Sequence, residues 1–419
     1  MSEVLLSGRL APLSHHPDGL SVHLLDRPAD WDSMKPAWDR LFKNSPSTAP
    51  ALHFEWLRLW WEIYGGTYGQ SLAIFVFERH ARVVGVLPMY VSRRGSLPGL
   101  RALRFLSTGE AEYEETSPEY LDLLHEEGEG EACAEALGKV LSDGSIPLAW
   151  DEFLIPEISP LSPLCKLSVS PQGGAFRVEE RESGECAVAD LTGGFDSYLE
   201  NLSPKARKNG RRLLRAAGNA SVTFDIASSN EEAALYFDDL IRLHKQRWNS
   251  QGKPGCFEAP RFTSFHRQLV KQWVPRGEAI VARLAVDQEA VGVLYGFIAG
   301  STFHFYQCGV NTEGSGLFES PGTAILLLLM RTLADNHIGY FDFLKGRSFY
   351  KQRLTSLQHP LAHLRIVRPG WRLAMATSAL SAARILRRYS REARQWLKSS
   401  PNEATVAGNP ALPRGGDLQ

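Results

Sequence analysis

The chain of 419 residues is 43% hydrophobic and 22% charged, which is enough apolar material for two domains and a large core. Its 46 basic and 47 acidic side chains nearly cancel, so the molecule as a whole is no electrostatic trap for nucleic acid or an anionic membrane, and any basic function must be local. The longest uninterrupted apolar run, Ala324 to Met330, is far short of the roughly 20 residues that cross a bilayer.

Residues 1–20 lack both the basic start and the apolar stretch of a secretory signal and are expected to be a disordered lead-in. Five cysteines, Cys133, Cys165, Cys186, Cys256 and Cys308, are scattered without paired spacing. That argues against a disulfide framework or a zinc site and for a cytoplasmic protein. His359 and His363 are four apart, but Pro360 between them spoils a helical ligand pair, so no metal is expected.

From Ser21 to Leu41 a short alternating strand precedes a helix whose expected cap is Asp30 or Asp32. In "HFEWLRLWWEIYGG", Phe54, Leu57, Trp61 and Tyr64 share one helical stripe, and Gly65 with Gly66 is expected to stop the helix. Leu72 to Glu78 and Val83 to Val91 read as a hairpin. Strands are expected at Leu103 to Leu106 and Tyr120 to Leu124, on either side of an acidic loop. A helix from Glu131 to Leu141 and a strand in "LAWDEFLIPEI" follow. The Pro-, Ser- and Gly-rich stretch from Ser159 to Gly174 closes an N-terminal domain of residues 21–175.

Residues 176–370 repeat the plan as a second domain. "CAVADL" is a strand, "GGFDSYLENLSPKARKNGRRLLRAAG" a helical stretch, and "SVTFDIA" a strand. A long amphipathic helix from about Glu231 and another from Pro260 to Trp273 lead into a hairpin whose Asp287-Gln288 turn parallels the turn near His80. Then come the strand "STFHFYQCGVN", a Gly-rich loop, a helix from Ser320, the strand "YFDFLKG", and a last strand near His363 to Val367. Residues 371–400 read as a basic amphipathic helix and 401–419 as a disordered tail. The fold class is α/β with mixed sheets, in two similar units.

Backbone N–H groups at a helix N-terminus lack intrahelical partners and carry the positive end of the dipole, so a phosphate fits there without a charged side chain. Gly314, Gly316, Ser320, Pro321, Gly322 and Thr323 supply that geometry, since Pro321 suits the first turn and Gly322 allows close approach to the backbone. The helix behind them is apolar on nearly every side and therefore buried.

At this point the chain resembles a family, the CelD-like members of the GNAT acyltransferase fold, associated with cellulose and exopolysaccharide biosynthesis and related distantly to FemAB-type peptidyltransferases. The resemblance is carried by "HFEWLRLWWE", "LSPKARKNGRRLLR", "LHKQRW", "FHRQL", "AVGVLYGF", "FYQCGVN", "SPGTAILLLLM" and "FDFLKGRSFYK", in that order from His53 to Lys351. It implies tandem GNAT-like units and transfer of an acyl group from an acyl-CoA such as acetyl-CoA to an amine or hydroxyl. It also implies that two central strands splay apart to admit the pantetheine arm, with the pyrophosphate at the following helix. The donor site would comprise Cys308, Gly309, Val310, Ser320, Pro321, Gly322 and Thr323. The usual Arg/Gln-x-x-Gly-x-Gly/Ala loop is replaced here by "GSGLFESPGT", which leaves open whether CoA or charged tRNA is the donor.

Acyl transfer needs a deprotonated nucleophile, a donor to the oxyanion and a proton for the departing thiolate. A backbone N–H near Cys308 or Gly309 is the expected oxyanion donor. The resemblance gives Tyr350 the proton for the thiolate; Lys351 or Lys345 is expected to assist by electrostatics, and Asp342 is the candidate base, since between Phe341 and Phe343 in a strand it points into the site or into the opposite layer. Lys208, Arg211, Arg212 and Arg215 make one basic helical face, and with Arg247 and Trp248 they are candidates for an anionic substrate. Core packing is the expected role of Trp56 and Trp60. Three functions fit: an acyl-CoA transferase acting on an acceptor of polysaccharide or cell-envelope synthesis, a FemAB-like transferase using charged tRNA, and a non-catalytic scaffold for a synthase partner.

Overall fold

The computed structural model describes residues 12–16, 18–92, 95–167, 176–311, 317–346 and 348–380. Gly314 and Gly316, and the expectations for residues 381–419, lie outside them.

The first half opens inside the expected lead-in, where β1 (Ser14–His15) pairs with β2 (Leu20–Leu25). The helix expected from Asp30 or Asp32 is two helices, α1 (Pro28–Ser33) and α2 (Lys35–Asn44), because Pro28 and Pro36 each take an early position where a missing N–H costs nothing. Next, α3 (Phe54–Tyr68) runs through the two glycines expected to end it. A Cβ on Gly65 would sit 2.8 Å from the Trp61 indole, so the glycine serves side-chain packing along the helix. A hairpin follows, β3 (Gly69–Arg79) and β4 (Arg82–Ser92), turned by His80 and Ala81 at φ 50° and 64°. Both central residues in the left-handed region define a turn whose twist suits a hairpin. Beyond β5 (Ala102–Phe105) the expected strand from Tyr120 is reduced to β6 (Leu124–His125), since Ser117 and Tyr120 take φ of 41° and 58° and cannot extend a strand. The half closes with α4 (Gly130–Asp143) and β7 (Glu152–Ile158).

The second half begins with β8 (Arg177–Asp190), longer than "CAVADL" because its charged start pairs along the last strand of the chain. Pro204 divides the next helical stretch into α5 (Phe195–Asn201) and α6 (Pro204–Ala216). Then come β9 (Val222–Ile226), α7 (Asn230–Ser250), α8 (Pro260–Trp273), and the hairpin β10 (Ala279–Val286) and β11 (Glu289–Ala299). Asp287 and Gln288 turn it at φ 50° and 70°, the counterpart of His80 and Ala81. The remaining elements are β12 (Thr302–Val310), α9 (Pro321–Asp335), β13 (Tyr340–Lys345), α10 (Phe349–Leu354) and β14 (Leu357–Val367). Residues 371–380 are helical.

One mixed sheet takes all the strands, in the order β1-β2-β3-β4-β5-β7-β14-β8-β13-β12-β11-β10-β9, with β6 beside β4. Read inward from either end, the halves match. From β2 and from β9 the neighbours are antiparallel until one parallel pair, β5 with β7 and β12 with β13, and α4 or α9 makes the crossover. The fold is therefore α/β with mixed strand directions, as expected, and its two similar halves share one large sheet. A boundary near residue 175 divides the chain but not the sheet, since β14 lies between β7 and β8. One core cluster packs α3, α7 and α8 across both halves, and a second surrounds the apolar α9 beneath β12 and β13.

Candidate active site

The parallel ladder between β12 and β13 holds for three positions, Thr302 with Tyr340, Phe303 with Phe341 and His304 with Asp342, and then the strands part. Each carries an irregularity at the parting. In β12 the register against β11 shifts at Tyr306, which leaves Tyr306 as a bulge. In β13 the register against β8 shifts after Asp342, and Leu344 takes φ 58°, a strained conformation for a bulky residue. Lys351, 9% exposed, holds this bend together: its ammonium donates to the carbonyls of Phe343, Leu344 and Lys345 at 2.8, 3.1 and 3.0 Å.

Asn311 N–H donates to Val291 O at 3.0 Å, and the alternation of an antiparallel ladder then turns Gly309 toward β11 as well. The N–H groups of Cys308 and Val310 consequently face the gap where β13 has moved away. This gap is a cavity of about 300 Å³ lined by both strand ends, by Tyr350 and Lys351, and by the acidic loop of the first half through Glu112, Glu115 and Glu119. Tertiary bonds hold that loop in place. Tyr306 donates to Thr116 O at 2.7 Å, Arg261 to Glu114 at 3.1 Å, and Tyr120 to the Asp342 carboxylate.

Among the carboxyls of the cavity, Glu119 has the most altered acidity. Loss of water around its carboxyl, reinforced by the nearby Asp342 charge, pushes its pKa up to about 8. Burial also raises Glu115, and Glu157 adds to the effect. The Tyr350 hydroxyl is pushed up to about 12, mainly by burial and then by Cys308, so it stays protonated through neutral pH. Lys351 is drawn down by burial while Glu119 opposes the fall. The site thus places a proton acceptor, a protonated phenol and the backbone N–H of Cys308 around one cavity.

The sequence candidates fall into separate places. Tyr350, Lys351 and Cys308 line the cavity. Asp342 lies on the opposite face of β13, where it accepts from Tyr120 and from Leu344 N at 2.7 Å and lines a different cavity. Gly309 serves packing, since a Cβ there would lie 2.7 Å from Leu240 O on α7. Ser320 caps α9 with Pro321 in its first turn, and the Ser320 and Thr323 hydroxyls are 2.9 Å apart. Among the described residues, a Cβ on Gly322 would meet only Val310, at 3.3 Å. Lys208, Arg211 and Arg212 are exposed on α6, which packs on α9, and Arg212 reaches Glu319 beside the cap at 2.8 Å. Arg247 is close enough to Cys308 and Tyr350 to oppose the rise that burial causes in both. Trp248 packs against His244 and Gly255, away from the cavity lining. Trp56 and Trp60 are buried and donate to Ser107 and Glu110, a core role.

The acidic loop is what sequence reasoning missed. Its carboxylates belong to the first half but line a cavity of the second, where contacts across the molecule bring them. The corresponding place in the first half is filled: a Cβ on Gly130, at the start of α4, would lie 2.8 Å from both His125 and Pro163.

Residues 204–352, in the half that holds the parted strands, are similar to the acetyltransferase (GNAT) domain family. No curated protein matches the chain. Among solved structures, FemX is similar at 11% identity, over 80% of this chain and 96% of that one, with a TM-score of 0.54. L-PGS from Bacillus licheniformis matches at 9% identity over 84% and 95% of the two chains, with a TM-score of 0.48. A tandem GNAT protein from the clavulanic acid biosynthesis pathway matches at 13% identity over 83% and 99%, with a TM-score of 0.40. The likeness to FemX is one of fold. Among the described residues no helix is long and apolar enough to cross a membrane, and no group of acidic, His or Cys side chains is placed to hold a metal.

Proposed function

We propose that the protein is an N-acyltransferase that takes an acyl group from an acyl-CoA in the gap between β12 and β13 and passes it to an amine. The observation that carries this reading is the cavity at the parted strands, with Glu119 inside it. Cys308, Val310 and the Ser320 end of α9 fit the donor: two N–H groups face the gap, and Gly322 leaves the helix start open. The donor supplies an activated acyl thioester. Cys308 N–H is placed to stabilise negative charge on the acyl oxygen. Glu119 takes the proton of the attacking ammonium, a transfer that its pKa of about 8 suits at mildly alkaline pH. Tyr350 keeps a proton to give to the departing sulfur. The carboxylates of Glu112, Glu115 and Glu119 at one cavity favour a cationic acceptor over a neutral hydroxyl.

Resemblance to the CelD-like family supports a cytoplasmic role in polysaccharide or cell-envelope synthesis for that acceptor. Isothermal titration with acetyl-CoA and a longer acyl-CoA tests the donor, beside Gly322→Asp, whose carboxylate sits well in a helix first turn but repels a phosphate. Binding that the variant loses is expected. Failure of both acyl-CoAs to bind the unaltered chain would sink the reading. It would favour a second one, in which the exposed basic face of α6 and the FemX-like fold support transfer from charged tRNA, and RNA binding would then weaken steeply with salt.

A further inference from the structure

The helical residues 371–380 follow β14 and are pinned to the first half. Arg368 N–H donates to Asp151 O at 2.9 Å, its guanidinium lies over the Trp150 ring, and Arg372 comes within 3.8 Å of the Asp151 carboxylate. Leu373 and Thr377, one turn apart, face the body, where they line a groove with Leu154 and Val367. Ala376 beside them is buried. Trp371 and Met375, also one turn apart, stand on the other side of the helix and are 68% and 63% exposed. Two large apolar side chains aligned in this way form a stripe that the core beneath the helix does not use.

The sequence beyond the described residues carries this division onward. At 3.6 residues per turn, Leu386, Tyr389, Ala393 and Trp396 continue the stripe of Trp371 and Met375. The side that begins with Leu373 and Thr377 continues as Arg384, Arg387, Arg388, Arg391, Arg394 and Lys398, and Glu392 is the one acidic residue of 381–400. A helix meant to cover this chain's own sheet would keep its inner side apolar. Here the inner side turns cationic and the outer side stays apolar. Trp and Leu on one face with Arg and Lys on the other is the pattern of a helix that lies in a membrane interface. The chain as a whole has a net charge of −1, so the attraction to an anionic surface is concentrated in this segment. Nucleic acid would engage the cations but leave Met375 and Leu386 without a use. Trp371, Tyr389 and Trp396 suit the headgroup level of a bilayer, where one end of the ring is dry and the other wet.

We propose that residues 371–398 dock the protein on an anionic phospholipid surface, with the stripe from Trp371 to Trp396 entering the interface and the arginine charge drawing it there. The segment lies on the bilayer and does not cross it, because only one face is apolar. Docking does not depend on the acyl-transfer reading.

The test sediments the full chain with vesicles of phosphatidylcholine alone and of equal parts phosphatidylcholine and phosphatidylglycerol. Saturable binding to the mixed vesicles is expected, at least about tenfold tighter than to the neutral ones and weakening as salt rises from about 0.1 M to about 0.5 M. Trp371→Ser combined with Met375→Ser, at exposed positions that the fold does not need, should weaken binding by about tenfold or more. Arg387→Gln combined with Arg388→Gln should do the same. No binding to the mixed vesicles, equal binding to both kinds, or binding that the Trp371 and Met375 changes leave intact would each overturn the proposal. So would preference for duplex RNA over the mixed vesicles, which points to nucleic acid, or a dimer that the Trp371 and Met375 changes abolish, which points to a second copy of the chain.

Discussion

At the scale of single residues, the parted strands depend on two charged groups with opposite tasks. Glu119 keeps its proton to about pH 8 in the folded chain against 4.5 for an ordinary glutamate. Between those values the folded chain holds more protons than the unfolded one, so stability falls as pH rises through the window. Glu119→Gln should therefore melt higher than the parent at pH 9, with the difference closing toward pH 5, and scanning calorimetry across that range checks it. If Glu119 is the base, the same variant loses about 100-fold in turnover and the rising limb of the pH–rate profile below pH 8. Retention of that limb would assign the proton to another group. Lys351 works on the backbone. Lys351→Met removes three charge-assisted bonds to β13 carbonyls and should cost about 2–3 kcal/mol, read as a lower urea midpoint at unchanged slope. A cost within 0.5 kcal/mol, the range of an ordinary surface change, would mean that β13 bends without it.

At the scale of elements, two glycines near the gap do different work. Gly309 lets β12 press against α7, where a Cβ would meet the Leu240 carbonyl at 2.7 Å and the His244 amide at 3.1 Å. Backbone cannot yield as a side chain can, so Gly309→Ala should destabilise by about 1–3 kcal/mol. Gly322→Ala gains helix propensity of about 1 kcal/mol against one contact with a Val310 methyl at 3.3 Å, and should be near neutral. Equal losses in chemical denaturation would refute this division. The pair also marks what was legible from residues alone. The hairpins, the buried α9 and the plan of each half followed from hydrophobic period and turn residues. The glycine in "FYQCGVN" looked like a ligand contact because sequence spacing cannot reveal a helix crossing the strand from 65 residues upstream in the chain. The face that Asp342 takes stayed open for a related reason. Alternation in a strand fixes two faces, but which one meets the gap depends on α9 lying against Phe341 and Phe343. The strand expected at Tyr120 failed because the loop's polar groups find partners across the molecule, a choice no local propensity records.

For the whole molecule, the question is whether two similar halves behave as two domains. The sheet argues that they do not. β14 pairs with β8 from Leu357 with Val188 to Val367 with Arg177, and with β7 from Ala362 with Ile158 to Val367 with Glu152. The last strand of the described residues thus sits in the middle of the sheet and completes both halves. Further ties cross nearby: Glu55 on α3 accepts from Trp273 Nε1 at 3.0 Å and from Arg276, and Arg365 on β14 donates to the buried Glu152 at 3.0 Å. A chain ending after Thr355 would leave β7 and β8 with open edges in the interior, exposing unpaired backbone that neither half can cover. Such a truncation should aggregate or unfold entirely, although it keeps every residue at the parted strands. The full chain, conversely, should unfold in one transition, with calorimetric and van't Hoff enthalpies in agreement. Two resolved transitions, or a folded and monodisperse truncated chain, would show that β14 only seals the halves together. In that case Glu119, held by the first half and used by the second, would owe its position to the acidic loop and its contacts with Tyr306 and Arg261 alone.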